Sequence, residues 1–187
     1  MSATNRTFYG YDPDANRFAA VGFAYDEKRP ITAVHWSDEP FLPTWKPRPC
    51  HVFDEKPLRQ GDFPSLVNYR LIPVMTERAW IALRPLIGYC CEALPIIHPS
   101  GNPHFIIHVM NTIDALDVRA SEVSRDGSRT NRIDRIYKYA FHQKRVKGHP
   151  IFKLPIQSSA EMFVDDEFRR IVEVNRLRGL LFNDLPM

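Results

Sequence analysis

The segment that most restricts the fold of this chain is residues 104–110, because the strand that it predicts is apolar on both faces. Alternate side chains of a strand point to opposite faces, and each set is largely apolar here: Phe105, Ile107 and Val109, then Ile106, His108 and Met110. Such a strand belongs in the interior of a sheet. The turn residues 99–103 separate it from a second predicted strand, residues 90–98. Together they predict a central antiparallel hairpin.

Two segments predict helices. Residues 76–87 begin at Thr76 and residues 165–175 begin at Asp165, and both residue types favour the N-cap position. The apolar side chains at helical spacing are Trp80, Leu83 and Ile87 in the first segment and Phe168, Ile171 and Val172 in the second. We therefore expect these two segments to be the principal helices of the fold.

Shorter runs rich in aromatic and β-branched residues predict the remaining strands. They are residues 6–11, 17–25, 31–36, 133–141, 151–154, 162–164 and 180–182. The resulting expectation is an α+β fold. A mostly antiparallel, twisted sheet would contain residues 90–98, 104–110 and 133–141, with the two helices packed on it. The N-terminal strands would form a subdomain or an extension of that sheet.

Six prolines lie between residues 40 and 64. Proline lacks a backbone donor and restricts the residue before it, so regular helix or central strand is not expected here. We interpret residues 37–64 as an extended surface connector that Phe41, Trp45 and Phe53 hold against the protein. The chain then divides into an N-terminal β-rich part, residues 1–64, and an α+β domain, residues 65–187.

The net charge of +3 is unevenly distributed. Residues 119–153 contain ten Lys and Arg against three Asp and Glu, a net of +7, whereas the segments on either side each carry a net of −2. The predicted partner-binding residues in this block are Arg125, Arg129, Arg132, Lys138, Lys144, Arg145 and Lys147. Such a block either faces an anionic partner or is a solvated hairpin, and composition leaves both open. Nucleic-acid binding is the weaker alternative, because the alternation predicts that Tyr137 and Tyr139 share a face with core residues.

No apolar run approaches the ~20 residues of a membrane helix, and the N-terminus lacks the pattern of a signal peptide. We therefore expect a cytoplasmic protein that does not contact the membrane. The three cysteines do not suggest a disulfide framework, because Cys90 and Cys91 are adjacent and Cys50 is isolated. Adjacent cysteines in an apolar stretch are more typical of core residues than of a nucleophilic site.

No motif for catalysis, cofactor binding or metal binding is present, so none is predicted. The rings of His104 and His108 would be rooted ~13 Å apart on a strand, which is too far for one zinc ion. Asp114 and Asp117 could form a carboxylate pair of a hydrolase, and that alternative stays open. We favour a structural role in turns and caps for four polar residues of this region: Asn111, Asp114, Asp117 and Ser121.

The second part of the chain resembles a bacterial family of toxin-immunity proteins, the eleventh among the immunity proteins of polymorphic toxin systems, formerly a domain of unknown function. The resemblance covers residues 69–185. It lies in L-I-P-V-M-T-E-R (residues 71–78), H-V-M-N-T-I-D-A-L-D-V-R-A-S (108–121), the arginine-rich turn, V-K-G-H-P-I-F-K-L-P (146–155), M-F-V-D-D-E-F (162–168) and R-G-L-L-F (178–182).

The resemblance implies a binding function rather than an enzymatic one. Proteins of this kind are encoded beside a secreted toxin, in some cases a type VI secretion effector. They protect the producing cell by plugging the active site of that toxin or by locking it in an inactive state. The implied partner is therefore a cognate toxin, and no cofactor is implied. The resemblance gives no oligomeric state.

Overall fold

A computed structural model describes residues 7–24, 28–53, 58–69, 72–127, 132–156, 161–183 and 185, without the side chains of residues 28–30 and 32. The helices are α1 (Lys28–Trp36), α2 (Glu77–Ile87), α3 (Gln143–Val146) and α4 (Asp166–Val174). The strands are β1 (Phe8–Gly10), β2 (Asp12–Pro13), β3 (Ala20–Gly22), β4 (Arg48–Pro49), β5 (His51–Phe53), β6 (Val74–Thr76), β7 (Cys91–Ile97), β8 (His104–Val109), β9 (Glu122–Arg125), β10 (Ile133–Lys138), β11 (Ile151–Lys153), β12 (Met162–Asp165) and β13 (Leu180–Leu181). The predicted α+β class is confirmed.

The predicted hairpin lies at the centre of the largest sheet. That sheet has the order β4-β7-β8-β6, with β4 parallel to β7 and the other pairs antiparallel. Ile107 and Val109 of β8 belong to a core cluster with α2 and α4, whereas Ile106 belongs to a second cluster with α1. Both faces of β8 are therefore covered, as its two apolar faces predict.

The two principal helices begin where the sequence predicts. The Thr76 side chain accepts a hydrogen bond from the Ala79 amide, and the buried Asp165 carboxylate accepts from the amides of Glu167 and Phe168. Each cap satisfies N–H groups that have no partner within the helix. The apolar faces of α2 and α4 pack against each other in the first core cluster.

A second sheet, β1-β12-β11, joins the two ends of the chain. β1 pairs antiparallel with β12, and β2 pairs antiparallel with β13. Phe8 of β1 also lies in a third core cluster, together with Phe152 of β11 and Phe163 of β12. Strands from the first 64 residues thus share sheets and core with strands from the last 40.

The strand predicted for residues 31–36 is wrong, because these residues form the greater part of helix α1. Ile31 and Val34 are both buried and lie three residues apart, which is the spacing of one helix face. The β-branched and aromatic content suggested a strand, but burial of this face against the second core cluster outweighs that intrinsic preference.

The placement of residues 133–141 in the central sheet is also wrong. Residues 133–138 form β10, which pairs only with β9 among the described residues. The apolar residues of this segment are too widely spaced to cover a central strand on both faces, and they pack on the third core cluster instead.

The proline-rich segment is only partly a connector. It contains β4, at the edge of the central sheet, and β5, which pairs with β3. Trp45 donates its indole N–H to the Pro95 carbonyl at 2.9 Å, and the Phe41 amide donates to the Glu92 carboxylate at 2.8 Å. Phe41 and Trp45 therefore hold the segment down, whereas Phe53 is 41% exposed.

A fragment that begins at residue 65 is expected to lose cooperative folding, because β12 and β13 lose their partners β1 and β2. Thermal unfolding followed by circular dichroism tests this expectation. As a control, a chain that lacks only residues 1–6, which precede β1, is expected to keep the transition of the full chain. A fragment with a cooperative transition near the temperature of the full chain would contradict the expectation.

Candidate functional site

Much of the charged block forms an antiparallel ribbon. It begins where the Asp117 amide donates to the Ala140 carbonyl at 2.8 Å and a bridge joins Leu116 to Phe141. The β9–β10 pair continues it. We use the name basic ribbon for residues 119–147, of which residues 128–131 lie outside the described part of the chain.

Two irregularities in the β9–β10 register set which side chains face the protein. They fall between Ile133 and Arg135 and between Ile136 and Lys138. Only Ile133 and Ile136 of β10 pack on the third core cluster, with Val123 of β9. The four other side chains of β10 are exposed: Asp134, Arg135, Tyr137 and Lys138. The simple alternation predicted from the sequence placed Tyr137 with the core residues, and the bulges reverse that placement.

Most cations of the basic ribbon are exposed and form no ion pair with a carboxylate in the part of the chain that the structure describes. They are Arg119, Arg132, Arg135, Lys138, Lys144 and Lys147. By contrast, Arg169 and Arg170 of α4 pair with Glu173 and Glu167, each at 2.7 Å. At these six positions the ribbon therefore offers positive charge that no carboxylate of the described residues pairs with.

The remaining predicted cations differ in their surroundings. Arg125 is exposed and takes part in other interactions, and Arg145 pairs with Asp114 at 2.9 Å. Arg129 lies outside the described residues. Sequence reasoning did not select Arg119, because it lies at the end of the H-V-M-N-T-I-D-A-L-D-V-R-A-S segment and before the densest run of charge. The structure shows that Arg119 is exposed at the turn that leads into the ribbon, which adds it to the candidate contact residues.

A cavity of about 670 Å³ opens at the base of the ribbon. Asp114, Asp117, His142 and Arg145 all line it, with an apolar wall that includes Val118. The Asp117 carboxylate accepts from the backbone amides of Arg119 and Ala120, which caps the turn that leads into the ribbon. Its other oxygen lies 3.6 Å from His142 Nδ1, beyond the usual hydrogen-bond distance.

The two other polar residues that the sequence suggested as structural bond the backbone. Asn111 donates to the Ile151 carbonyl at 2.6 Å, which joins the end of β8 to β11. The Ser121 hydroxyl accepts from the Ala140 amide at 3.0 Å, which joins the two sides of the ribbon. These contacts place both side chains in the framework that carries the ribbon rather than on its outer face.

His98 and His104 are buried and stack, with ring centroids 3.9 Å apart. His98 Nδ1 accepts from the Ser100 amide, and His104 Nδ1 donates to the Asn102 carbonyl, so the neutral rings are opposite tautomers. The His98 Nε2 therefore carries the proton of its ring, and of the two Nε2 atoms only that of His104 offers a lone pair to a metal ion. Among the described residues, no group of three potential ligands gathers here or elsewhere to hold a metal ion.

His108 belongs to a separate polar network. Its Nε2 donates to the Ser37 carbonyl at 2.9 Å, and its Nδ1 lies 3.3 Å from the Glu92 carboxylate. The buried Lys153 amine donates to the carbonyls of His35 and Ser37 and lies 3.2 Å from Asp38. Burial lowers the pKa of Lys153, and the Asp38 charge opposes that effect. The network ties the end of α1 to β8 and β11.

The two adjacent cysteines are buried in the first core cluster, with their sulfur atoms 4.0 Å apart. Burial raises the pKa of the Cys91 thiol well above its usual value, which keeps it protonated and a poor nucleophile. The hydrogen bond from Cys91 lowers the pKa of Cys90. Neither thiol lines the cavity at the base of the ribbon.

Residues 98–186 match the model of an immunity protein family, Imm11. The match extends from the turn before β8 to residue 186, which includes the basic ribbon and the cavity at its base. It confirms the predicted resemblance over this segment, whereas α2 and residues 71–78 lie before it. A search of curated proteins finds no match to the chain. The family match indicates a toxin-neutralising immunity function.

Within the described ranges, no helix combines the length and the apolar character that crossing a membrane requires.

His35 is expected to make folding sensitive to acid. Burial, and then the positive charge of Lys153, lowers its pKa from 6.5 to about 4. Between pH 6.5 and about pH 4, His35 therefore binds a proton in the unfolded chain but not in the folded chain. Stability is lost as the pH falls through this interval, by roughly 3 kcal/mol in total at 1.36 kcal/mol per pKa unit.

Urea unfolding at several pH values between 7 and 4 checks the expectation in the wild type and in the His35→Phe variant. The variant is expected to lose less stability on acidification than the wild type, because it lacks the titrating ring. His51→Gln, which changes an exposed histidine of β5, is the control and is expected to behave as the wild type. Equal pH dependence of wild type and His35→Phe would contradict the expectation.

Proposed function

We propose that this chain is an immunity protein that binds a cognate secreted toxin stoichiometrically in the cytoplasm of the producing cell, and that the basic ribbon is its main contact surface. The observation that carries the proposal is the set of exposed ribbon cations without a carboxylate partner in the described structure. The match of residues 98–186 to the immunity protein family supports the class of function.

The chemistry of the ribbon favours an acidic surface or an anionic active-site cleft on the toxin. Unpaired surface cations produce a positive field that speeds encounter with an anionic partner, and direct pairing across the interface then fixes the register. Arginine is suited to such contacts, because its guanidinium group binds a carboxylate with two hydrogen bonds in one plane. Arg119, Arg132 and Arg135 supply this group from both sides of the ribbon.

The framework under the ribbon suits a stoichiometric inhibitor. Val123, Ile133 and Ile136 pack on the third core cluster, and the Ser121 hydroxyl and Asp117 carboxylate fix the chain at its base. A surface that is held in shape before binding loses less conformational entropy when the complex forms. The same proposal holds that the toxin belongs to a polymorphic toxin system and is delivered by type VI secretion.

The cavity at the base of the ribbon favours a second candidate, hydrolysis. It gathers Asp114, Asp117 and His142, which is the convergence that an acid–base site requires. Two of these groups already have structural partners, because Asp114 pairs with Arg145 and Asp117 caps a turn. The described cavity lining holds no serine, threonine or cysteine, so hydrolysis would need water, or one of these already engaged side chains, as the nucleophile. The binding function therefore accounts better for the geometry.

Charge reversal on the ribbon is expected to abolish protection. The test protein carries Arg132→Glu, Lys138→Glu and Lys147→Glu and is co-expressed with the toxin encoded beside the gene of this chain. Growth is expected to fail, and the association rate measured with the toxin domain is expected to fall by about tenfold or more at low salt, because steering is lost. The wild type is expected to restore growth and to form a complex that survives gel filtration.

Two controls sharpen this test. Lys46→Glu, Arg59→Glu and Arg84→Glu together change the net charge equally at exposed cations that lie outside the ribbon and also lack a carboxylate partner in the described structure. This control is expected to keep binding and protection. His142→Gln is expected to protect as the wild type does, whereas a hydrolase would lose activity. If the ribbon variant associates with the toxin domain at the rate of the wild type, the basic ribbon is not the contact surface.

A further inference from the structure

We infer that Tyr137, with Arg135 beside it, is the anchor of the basic ribbon, and that it inserts into a carboxylate-lined depression on the toxin. The inference rests on the proposed function and adds the residue that holds the complex together. It starts from a conflict between the sequence pattern and the structure, because Tyr137 would face the core in a regular strand, yet its side chain is 48% exposed.

The local backbone turns Tyr137 outwards. A register shift lies between Ile136 and Lys138, on either side of Tyr137 itself, and a second shift lies between Ile133 and Arg135. The shifts allow Ile133 and Ile136 to pack inwards and leave Tyr137 on the outer face. Two positions further on, Tyr139 is only 8% exposed, and the centre of its ring lies 5.1 Å from the centre of the Phe163 ring. Bulges that redirect a side chain are typical of functional surfaces.

The hydroxyl group of Tyr137 has no hydrogen-bond partner among the described residues. The comparison is Tyr89, which is 64% exposed but donates its hydroxyl to the Gly148 carbonyl at 2.8 Å. Tyr89 is therefore tied to its own protein, whereas Tyr137 presents both an apolar ring and a free donor. Tyrosine with these two features is enriched among the residues that dominate binding energy.

Arg135 completes the recognition element. Its guanidinium carbon lies 6.0 Å from the centre of the Tyr137 ring, at the edge of the range for a cation–π contact. It forms no ion pair in the described structure. A carboxylate on the partner can therefore accept from the Tyr137 hydroxyl and from the Arg135 guanidinium together. The surrounding ribbon cations favour the same kind of partner, because their charge is complementary to an acidic protein surface.

Nucleic acid fits this face less well. Glu122 and Asp134 are exposed on the two strands of the ribbon and would repel phosphates. Binding of single strands also favours several aromatic rings on one face, but Tyr139 is buried, so Tyr137 is alone on β10. The experiment below includes an RNA probe that distinguishes nucleic-acid binding from toxin binding.

The experiment measures binding of Tyr137 variants to the toxin domain encoded beside the gene of this chain, by surface plasmon resonance. Tyr137→Ala is expected to weaken binding by about thirtyfold, mainly through faster dissociation, with an association rate within about twofold of the wild type. Tyr137→Phe is expected to show a smaller loss, which isolates the hydroxyl group. Tyr89→Phe is the matched control and is expected to bind as the wild type. Circular dichroism confirms that each variant is folded.

The outcomes separate this inference from the proposed function. If the wild type binds the toxin domain and Tyr137→Ala dissociates at the same rate, the anchor is overturned and the proposed function stands. If the wild type does not bind, both are overturned. If the wild type binds a labelled 20-nucleotide single-stranded RNA more tightly than the toxin domain, and Tyr137→Ala loses that binding, the ribbon recognises nucleic acid instead.

Discussion

The burial of both faces of β8 is the constraint on which the rest of the structure depends. Ile107 and Val109 need the cover that α2 and α4 provide, and Ile106 needs α1 on the opposite face. Because β8 also carries the buried His108, the second face must supply polar partners, and the Glu92 carboxylate and the Ser37 carbonyl do so. An unpaired buried imidazole would be costly, so this network fixes the end of α1 against the sheet.

The segment that follows β8 connects this core to the basic ribbon. Asn111 bonds to β11, and the chain then passes through Asp117, which caps the turn that enters the basic ribbon. The ribbon packs only one side on the third core cluster. Its other side is therefore free to carry cations and an exposed tyrosine. The fold thus separates a buried half that determines shape from an exposed half that is available to a partner.

Patterns that depend on neighbouring residues were predictable, and those that depend on distant packing were not. Thr76 and Asp165 mark helix starts because capping is local, and the hairpin of β7 and β8 follows from a short turn between apolar runs. Helix α1 was missed because its strand-like composition is overruled by burial of one face. The outward position of Tyr137 was missed because a bulge has no clear signal in a single sequence. The charge of the ribbon was visible in composition, but the exposure of its cations, and the absence of a carboxylate partner for six of them among the described residues, was not.

Hydrogen–deuterium exchange of the chain alone and in complex with the toxin encoded beside its gene would show which surface the toxin covers. Peptides from residues 119–147 are expected to exchange more slowly in the complex, and peptides from α2 are expected to exchange at an unchanged rate. A complex in which protection appears only elsewhere, for example around the exposed Trp36, while the ribbon peptides exchange as fast as in the free protein, would show that the ribbon is not the contact surface.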